Sequence, residues 1–154
     1  MIPFDAACGG AQDRLRQAQG RAVRFAGYAA VFDVPDRGGD VVRRGAFRLA
    51  GPVPLLWQHD GAPVGTVERL AEDRRGLRVI GRVETPELAA AVAKGGVTGL
   101  SFGYRVTEAR GTTRREIKAL ELLEVSLVAS PMQPLARVHA VDCAAWREAG
   151  TSAG

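Results

Sequence analysis

Ser101, His59 and Glu124 are side chains of the types that nucleophilic acyl transfer requires. Ser101 lies in Thr98-Gly99-Leu100-Ser101-Phe102-Gly103-Tyr104-Arg105-Val106, where Gly99 and Gly103 leave room around its hydroxyl. As a strand, this stretch puts Leu100, Phe102, Tyr104 and Val106 on one side and Ser101, Gly103 and Arg105 on the other. A core can take the first set while Ser101 faces a more open side. A serine hydroxyl is a poor nucleophile near neutral pH unless a base accepts its proton during attack. Histidine suits that task, and the chain has two, His59 and His139. His59 closes the apolar stretch Leu55-Leu56-Trp57-Gln58-His59-Asp60, whereas His139 begins a presumed tail. An imidazole base also needs a group that fixes its tautomer and stabilises its charged form. Glu124 stands among apolar neighbours in Leu122-Leu123-Glu124-Val125-Ser126-Leu127-Val128, where an unpaired carboxylate is costly. Pairing with His59 accounts for it.

Other arrangements of the same residues stay open. His59 reads equally as a strand-end histidine bonded to backbone, Ser101 as a small residue tolerated beside glycines, and Glu124 as a solvent-facing acid or a partner of Arg105. Asp60 is a second candidate to orient His59, although strand neighbours point to opposite faces. Ser126 shares the face of Glu124 and is a rival nucleophile without flanking glycines. Cys143 and His139, four apart, would meet on a helix as a nucleophile or metal pair. The loop Asp33-Val34-Pro35-Asp36-Arg37-Gly38-Gly39-Asp40 holds three aspartates but lacks EF-hand spacing and a closing glutamate, so calcium is not expected there. No CxxC, HExxH, phosphate-binding glycine loop or GxSxG elbow occurs, and no metal or organic cofactor is expected.

The elements that must position these residues follow from pattern. Residues 1–20 read as a peripheral leader, 21–138 as the functional domain, and 139–154, rich in small residues, as a loosely held tail. Val23, Phe25, Ala29 and Val31 share a parity across Gly27, which predicts a strand with a bulge or close approach at the glycine. Pro54 opens a strand in which Leu55, Trp57 and His59 share one face. A turn at Gly61-Ala62-Pro63 follows, and then a hairpin of 64–70 with 77–83. Thr85-Pro86-Glu87 starts a helix, with threonine as N-cap and proline in the first position, and Gly95-Gly96 ends it. That helix leads into the Ser101 strand. Leu123, Val125, Leu127 and Ala129 define a buried face, opposite Leu122, Glu124, Ser126 and Val128. Ser130-Pro131-Met132-Gln133-Pro134 then breaks the strand. The sum is a mainly β domain of about seven strands with one clear helix, expected as a closed or nearly closed β-barrel.

Composition sets the outer bounds. A chain of 154 residues, 46% hydrophobic and 25% charged, reads as one soluble globular domain able to bury a core. It has no apolar run of roughly 18 residues and no cleavable leader pattern, so neither a membrane span nor secretion is expected. Two cysteines make no disulfide framework and suit a reducing cytoplasm. A net charge of +4 raises an acidic partner or nucleic acid as one reading. The arginines are scattered, as at Arg14, Arg24, Arg48, Arg78 and Arg105, which counts against nucleic acid as a partner.

Taken together, the motifs resemble the prohead (capsid maturation) protease family of tailed phages and gene transfer agents. The matching stretches are Gly27-Tyr28-Ala29-Ala30-Val31-Phe32, Gly39-Asp40-Val41-Val42 with Gly45-Ala46-Phe47, Leu55 to Asp60, Gly76-Leu77, Gly99 to Tyr104, and Leu123 to Val128. They occur in the family's order and span roughly residues 22–138. The resemblance implies a fold similar to the herpesvirus assembly proteases, a β-barrel with helices packed around it. It also implies a serine endopeptidase with Ser101 as nucleophile, His59 as general base, and Glu124 where the herpesvirus enzymes use a second histidine. The implied partner is the major capsid protein with its scaffolding segment, cleaved inside assembling proheads in the host cytoplasm. The herpesvirus relatives act as dimers, which makes self-association an expectation too. The family's Pro-Ala-Asn is replaced here by Pro131-Met132-Gln133. A backbone N–H near Met132 is the expected oxyanion donor, since side-chain substitution need not remove it. The competing reading is a non-catalytic capsid assembly or scaffolding module on the same fold.

Overall fold

A computed structural model describes residues 22–49, 51–112 and 114–142. Strands β1 (Val23–Val31), β2 (Val41–Val42), β3 (Phe47–Arg48), β4 (Pro54–Trp57), β5 (Asp60–Glu72) and β6 (Gly76–Val83) precede helix α1 (Pro86–Ala93). Strands β7 (Gly99–Arg110), β8 (Glu116–Val128) and β9 (Val138–Asp142) follow it. All nine strands join one sheet, in the order β2-β8-β4-β5-β6-β1-β9, with β3 and β7 also paired to β8. Strand β8 is the hub. It takes β2, β3 and β4 in parallel and β7 antiparallel. The apolar sides of β1, β4, β6, β7 and β8 converge on Phe25, Leu55, Leu77, Val79, Leu100, Leu120 and Leu127, all fully buried.

The strand ladders do not close into a barrel. Around the sheet, β9 and β7 meet only through the isolated bridge Gly99↔Arg137. Two hydrogen bonds support that bridge: the Leu100 N–H donates to Ala136 C=O, and the Val138 N–H to Thr98 C=O. Of the expected closed or nearly closed barrel, the mainly β architecture holds, but the sheet is not closed and its ends touch at that one bridge. The chain from His139 to Asp142 also departs from the expected tail, because β9 pairs with β1 as far as Arg24↔Asp142. The rest of the predicted leader and tail lies outside the described residues. Gly27 marks the close approach predicted for β1. A Cβ there would lie 2.9 Å from Leu100 Cδ1 and Val138 Cα, and closer still to the Arg137 carbonyl.

Helix α1 occupies the predicted span, with Pro86 at its start and Glu87 in its first turn. Thr85 makes no side-chain cap; its hydroxyl donates to the Val64 carbonyl at 3.4 Å. The C-terminus closes as a Schellman motif. The Gly96 N–H donates to Ala91 C=O, the Gly95 N–H to Val92 C=O, and Gly95 adopts φ +80, which glycine accepts without cost. Ala89, Val92 and Ala93 face the core. No helix among the described residues is long and apolar enough to cross a membrane.

Candidate active site

The site forms where the β4–β5 hairpin meets the β7–β8 pair. Trp57 pairs with Asp60, so the turn is Gln58-His59, and both residues have positive φ, 55 and 62. That is the signature of the two-residue hairpin turn whose twist matches its strands. His59 is thus not the last residue of a strand, and the predicted turn at Gly61-Ala62-Pro63 is absorbed within β5. Positive φ is uncommon for non-glycine residues, less so for histidine than for glutamine, and β8 holds both residues in it. The Gln58 N–H donates to Leu127 C=O at 3.0 Å, the His59 N–H to Ser126 Oγ at 3.1 Å, and the Ala129 N–H to Gln58 Oε1 at 2.7 Å.

In the β7–β8 register, Ser101 lies opposite Ser126 and Gly103 opposite Glu124. The next pair is Tyr104↔Leu122, which leaves Leu123 unpaired in a bulge. The bulge reverses the alternation predicted for this strand. Leu123 is 49% exposed and Leu122 is buried, while Glu124 and Ser126 stay on the face of Ser101. A bulge at this point re-aims the side chains beside it.

Glu124 meets the imidazole of His59: Nδ1 and Oε1 are hydrogen-bonded. The other carboxylate oxygen accepts from the Ser126 hydroxyl at 2.6 Å. Asp60 makes no bond to His59 among the described residues, and Arg105 pairs with Glu121 rather than Glu124. Ser101 is 7% exposed, and its hydroxyl makes no hydrogen bond within the described residues. Ser101 and His59 line a common cavity of about 220 Å³, together with Met132, Gln133, Asp36, Asp40 and Tyr104. No hydrogen bond joins Ser101 to His59. Gly103 makes its room for Glu124: a Cβ would lie 3.0 Å from its Cδ and Cγ and inside that distance from Oε1. Gly99 instead lets the Val128–Pro131 segment pack close, with Pro131 Cδ at 2.9 Å from a Cβ built there.

The Ser130–Pro134 turn is held from two sides. The Arg37 N–H donates to Met132 C=O at 2.8 Å, and the Arg37 guanidinium to Ser130 Oγ at 2.9 Å. Gln133, 8% exposed, acts as a strand partner for the end of β1. Its Oε1 accepts from the Val31 N–H at 2.7 Å, and its Nε2 donates to Val31 C=O at 2.7 Å and Val34 C=O at 3.0 Å. Gln133→Ala strands these backbone groups, so the expected cost is about 2–4 kcal/mol, read as a lower urea midpoint at unchanged slope. Sequence reasoning gave Gln133 no role, although it occupies the place of the asparagine in the resembled Pro-Ala-Asn.

On the far wall, Asp40 accepts from Tyr104 OH at 3.1 Å and from Arg115 Nε and NH2 at 3.2 and 2.9 Å. Arg115 holds the Asp40 carboxyl below its usual range, against burial, with help from Tyr104. Burial, then the Asp40 bond, pushes the Tyr104 phenol up to about 12. An unfolded tyrosine ionises near 10. The folded state thus favours the neutral phenol, and its contribution is intact below about pH 10 and lost as pH rises towards 12. Tyr104→Phe is expected to flatten the fall in thermal midpoint across that window, and an equal fall in both proteins would contradict this.

Of the remaining nominated residues that are described, only Asp36 borders the cavity. Asp33 pairs with Arg43, and Asp36 Oδ1 accepts from the Gly38 and Asp40 N–H groups at 2.8 and 2.9 Å. His139 packs edge-on to Tyr28 with ring centroids 5.8 Å apart, and burial, then Arg75, lowers its pKa. Cys143 is outside the described residues.

The caudovirus prohead serine protease family model matches residues 11–148 of the chain. The prohead protease of Enterobacteria phage HK97 is 35% identical over 134 residues, covering 76% of this chain and 59% of that protein. The chain therefore spans less than two thirds of that relative's length. Among solved structures, KSHV protease in complex with a hexapeptide phosphonate inhibitor superposes with a TM-score of 0.52 at 12% identity, over 77% of this chain and 64% of that one. At that identity the match concerns the fold alone. With its motifs in order and a family match across nearly its whole length, the chain belongs to the caudovirus prohead serine protease family.

Proposed function

We propose that the protein is a serine endopeptidase that trims capsid protein during prohead maturation. The observation that carries this reading is the hydrogen bond between His59 Nδ1 and Glu124 at a cavity that also holds Ser101. With Nδ1 engaged by the carboxylate, Nε2 is the nitrogen free to take the Ser101 proton as Oγ attacks a peptide carbonyl. The imidazolium then protonates the leaving amine, and Glu124 stabilises its charge meanwhile. Water, activated by the same His59 nitrogen, hydrolyses the acyl-enzyme and regenerates the serine. A backbone N–H at the Met132 turn is the proposed donor to the oxyanion, since that turn borders the cavity and is pinned by Arg37 and Gln133. The substrates proposed are the major capsid protein and its scaffolding segment, met inside the assembling prohead.

Co-expression of the full chain with its major capsid protein tests this. Loss of a defined amino-terminal capsid segment, seen by intact mass, is the expected result. Capsid protein that is bound and assembled but never cut would favour the scaffolding-module reading instead.

A further inference from the structure

Ser126 is fully buried, yet its hydroxyl touches both partners of the His59–Glu124 pair. It accepts from the His59 backbone N–H at 3.1 Å and donates to Glu124 Oε2 at 2.6 Å. We propose that Ser126 is a positioning residue, whose one hydroxyl locks the Glu124 carboxylate and the His59 turn into a common frame. The inference rests on the catalytic reading of Ser101, His59 and Glu124.

The geometry explains why a serine is needed there. Glu124 has two oxygens. With Oε1 on the imidazole, Oε2 would otherwise be a poorly solvated acceptor on a carboxylate whose side chain is only 12% exposed. The Ser126 hydroxyl satisfies that oxygen and stops the carboxylate from rotating off the imidazole. The Ser126 Oγ then has a lone pair left for the His59 N–H, in a turn where positive φ at two non-glycine residues must be held by outside contacts. Alanine removes both bonds and leaves the His59 N–H without its acceptor. The chain has spent the rival nucleophile of this strand on holding the base, and its Oγ–H is already committed to Glu124.

The test uses the full chain as parent, Ser126→Ala and Ser126→Thr, the last keeping the hydroxyl. Turnover is read on a synthetic peptide that spans the capsid cleavage site mapped by co-expression. In parallel, NMR follows the imidazole C–H titrations of His59 and His139, the chain's only histidines. Ser126→Ala is expected to lower kcat about 10- to 100-fold, in line with losses on deleting residues that orient a functional side chain, with KM within twofold. Ser126→Thr should recover most of that rate. The His59 midpoint should move in Ser126→Ala, while that of His139, packed on Tyr28, stays in place and reports an intact fold. If Ser126→Ala does not fold, Ser126→Cys, similar in size and a weak donor, is read in its stead. A kcat within twofold of parent with an unmoved His59 midpoint would overturn the proposal, as would an equal loss in Ser126→Thr with both histidines shifted. If the parent cuts no peptide, the catalytic reading fails on its own, and the His59 titration still decides whether Ser126 governs the pair.

Discussion

Ser101→Ala is expected to abolish capsid cleavage, lowering kcat roughly 10^4-fold or more, while leaving the thermal midpoint within a degree or two of the parent, about the shift expected for less than 0.5 kcal/mol. Both halves follow from the same environment. Ser101 is buried, 7% exposed, but its hydroxyl bonds to nothing among the described residues, so deleting it leaves no stranded partner. Its strand is anchored by backbone pairing with β8 from Gly99 to Arg110, which alanine preserves. A side chain that contributes little to stability and faces a cavity beside a carboxylate-held histidine is expected to show its loss in chemistry rather than in folding. Kinetics on the mapped peptide and a melt of the two proteins check it. Retained cleavage would exclude Ser101 and make Ser126 or Cys143 the next residues to examine.

The second large effect is expected from a residue with no functional group. Gly103→Ala puts a methyl where the Glu124 side chain now runs, 3.0 Å from its Cδ and Cγ and closer to Oε1. Strand backbone does not forbid alanine at this position, and the atoms in the way end a flexible side chain, so the fold can yield by swinging Glu124 aside. That movement breaks the bond to His59. The expected outcome is a kcat loss of about 100-fold or more, of the order seen when a histidine base loses its orienting acid, with stability changed by less than about 1 kcal/mol. Loss of activity together with the fold would instead place Gly103 among the packing glycines, like Gly27. Unchanged activity would mean that Glu124 is not needed where it stands.

The strands around the site were partly legible from their apolar spacing: Val23, Phe25, Leu77, Val79, Val83 and Leu100 are buried as it predicts, but Ala26, Ile80 and Ser101 on the opposite parity are buried too. The failures share a cause, which is that periodicity assumes an unbroken strand. Leu123 drops out of register, so the buried and exposed halves of β8 change over, and a strictly alternating reading misassigns Leu122 and Leu123. His59 and Gln58 adopt positive φ without being glycine or asparagine, so no local signal marks the turn, and only β8 explains it. Closure of the sheet depends on how far β9 and β7 approach, which is set by one bridge at Gly99 and is invisible in either strand alone. The network of Asp40, Tyr104 and Arg115 joins residues 64 and 75 positions apart. Asp40 belongs to the Gly39-Asp40-Val41-Val42 motif, but Tyr104 and Arg115 become its partners only in three dimensions. Of the nominated site residues, His59 and Glu124 meet, Ser101 and Met132 border the same cavity, and His139 sits apart on Tyr28.

The central claim is that Ser101 is a nucleophile activated by the histidine across the cavity. The most direct test treats the folded full chain with an alkyl fluorophosphonate, which phosphonylates an activated serine hydroxyl with loss of fluoride, and maps the added mass by peptide sequencing. A single adduct on the Gly99–Arg105 region that localises to Ser101, absent from Ser101→Ala and slowed in Glu124→Gln, is the predicted result. An adduct on Ser126, or equal labelling of the parent and Ser101→Ala, would contradict it.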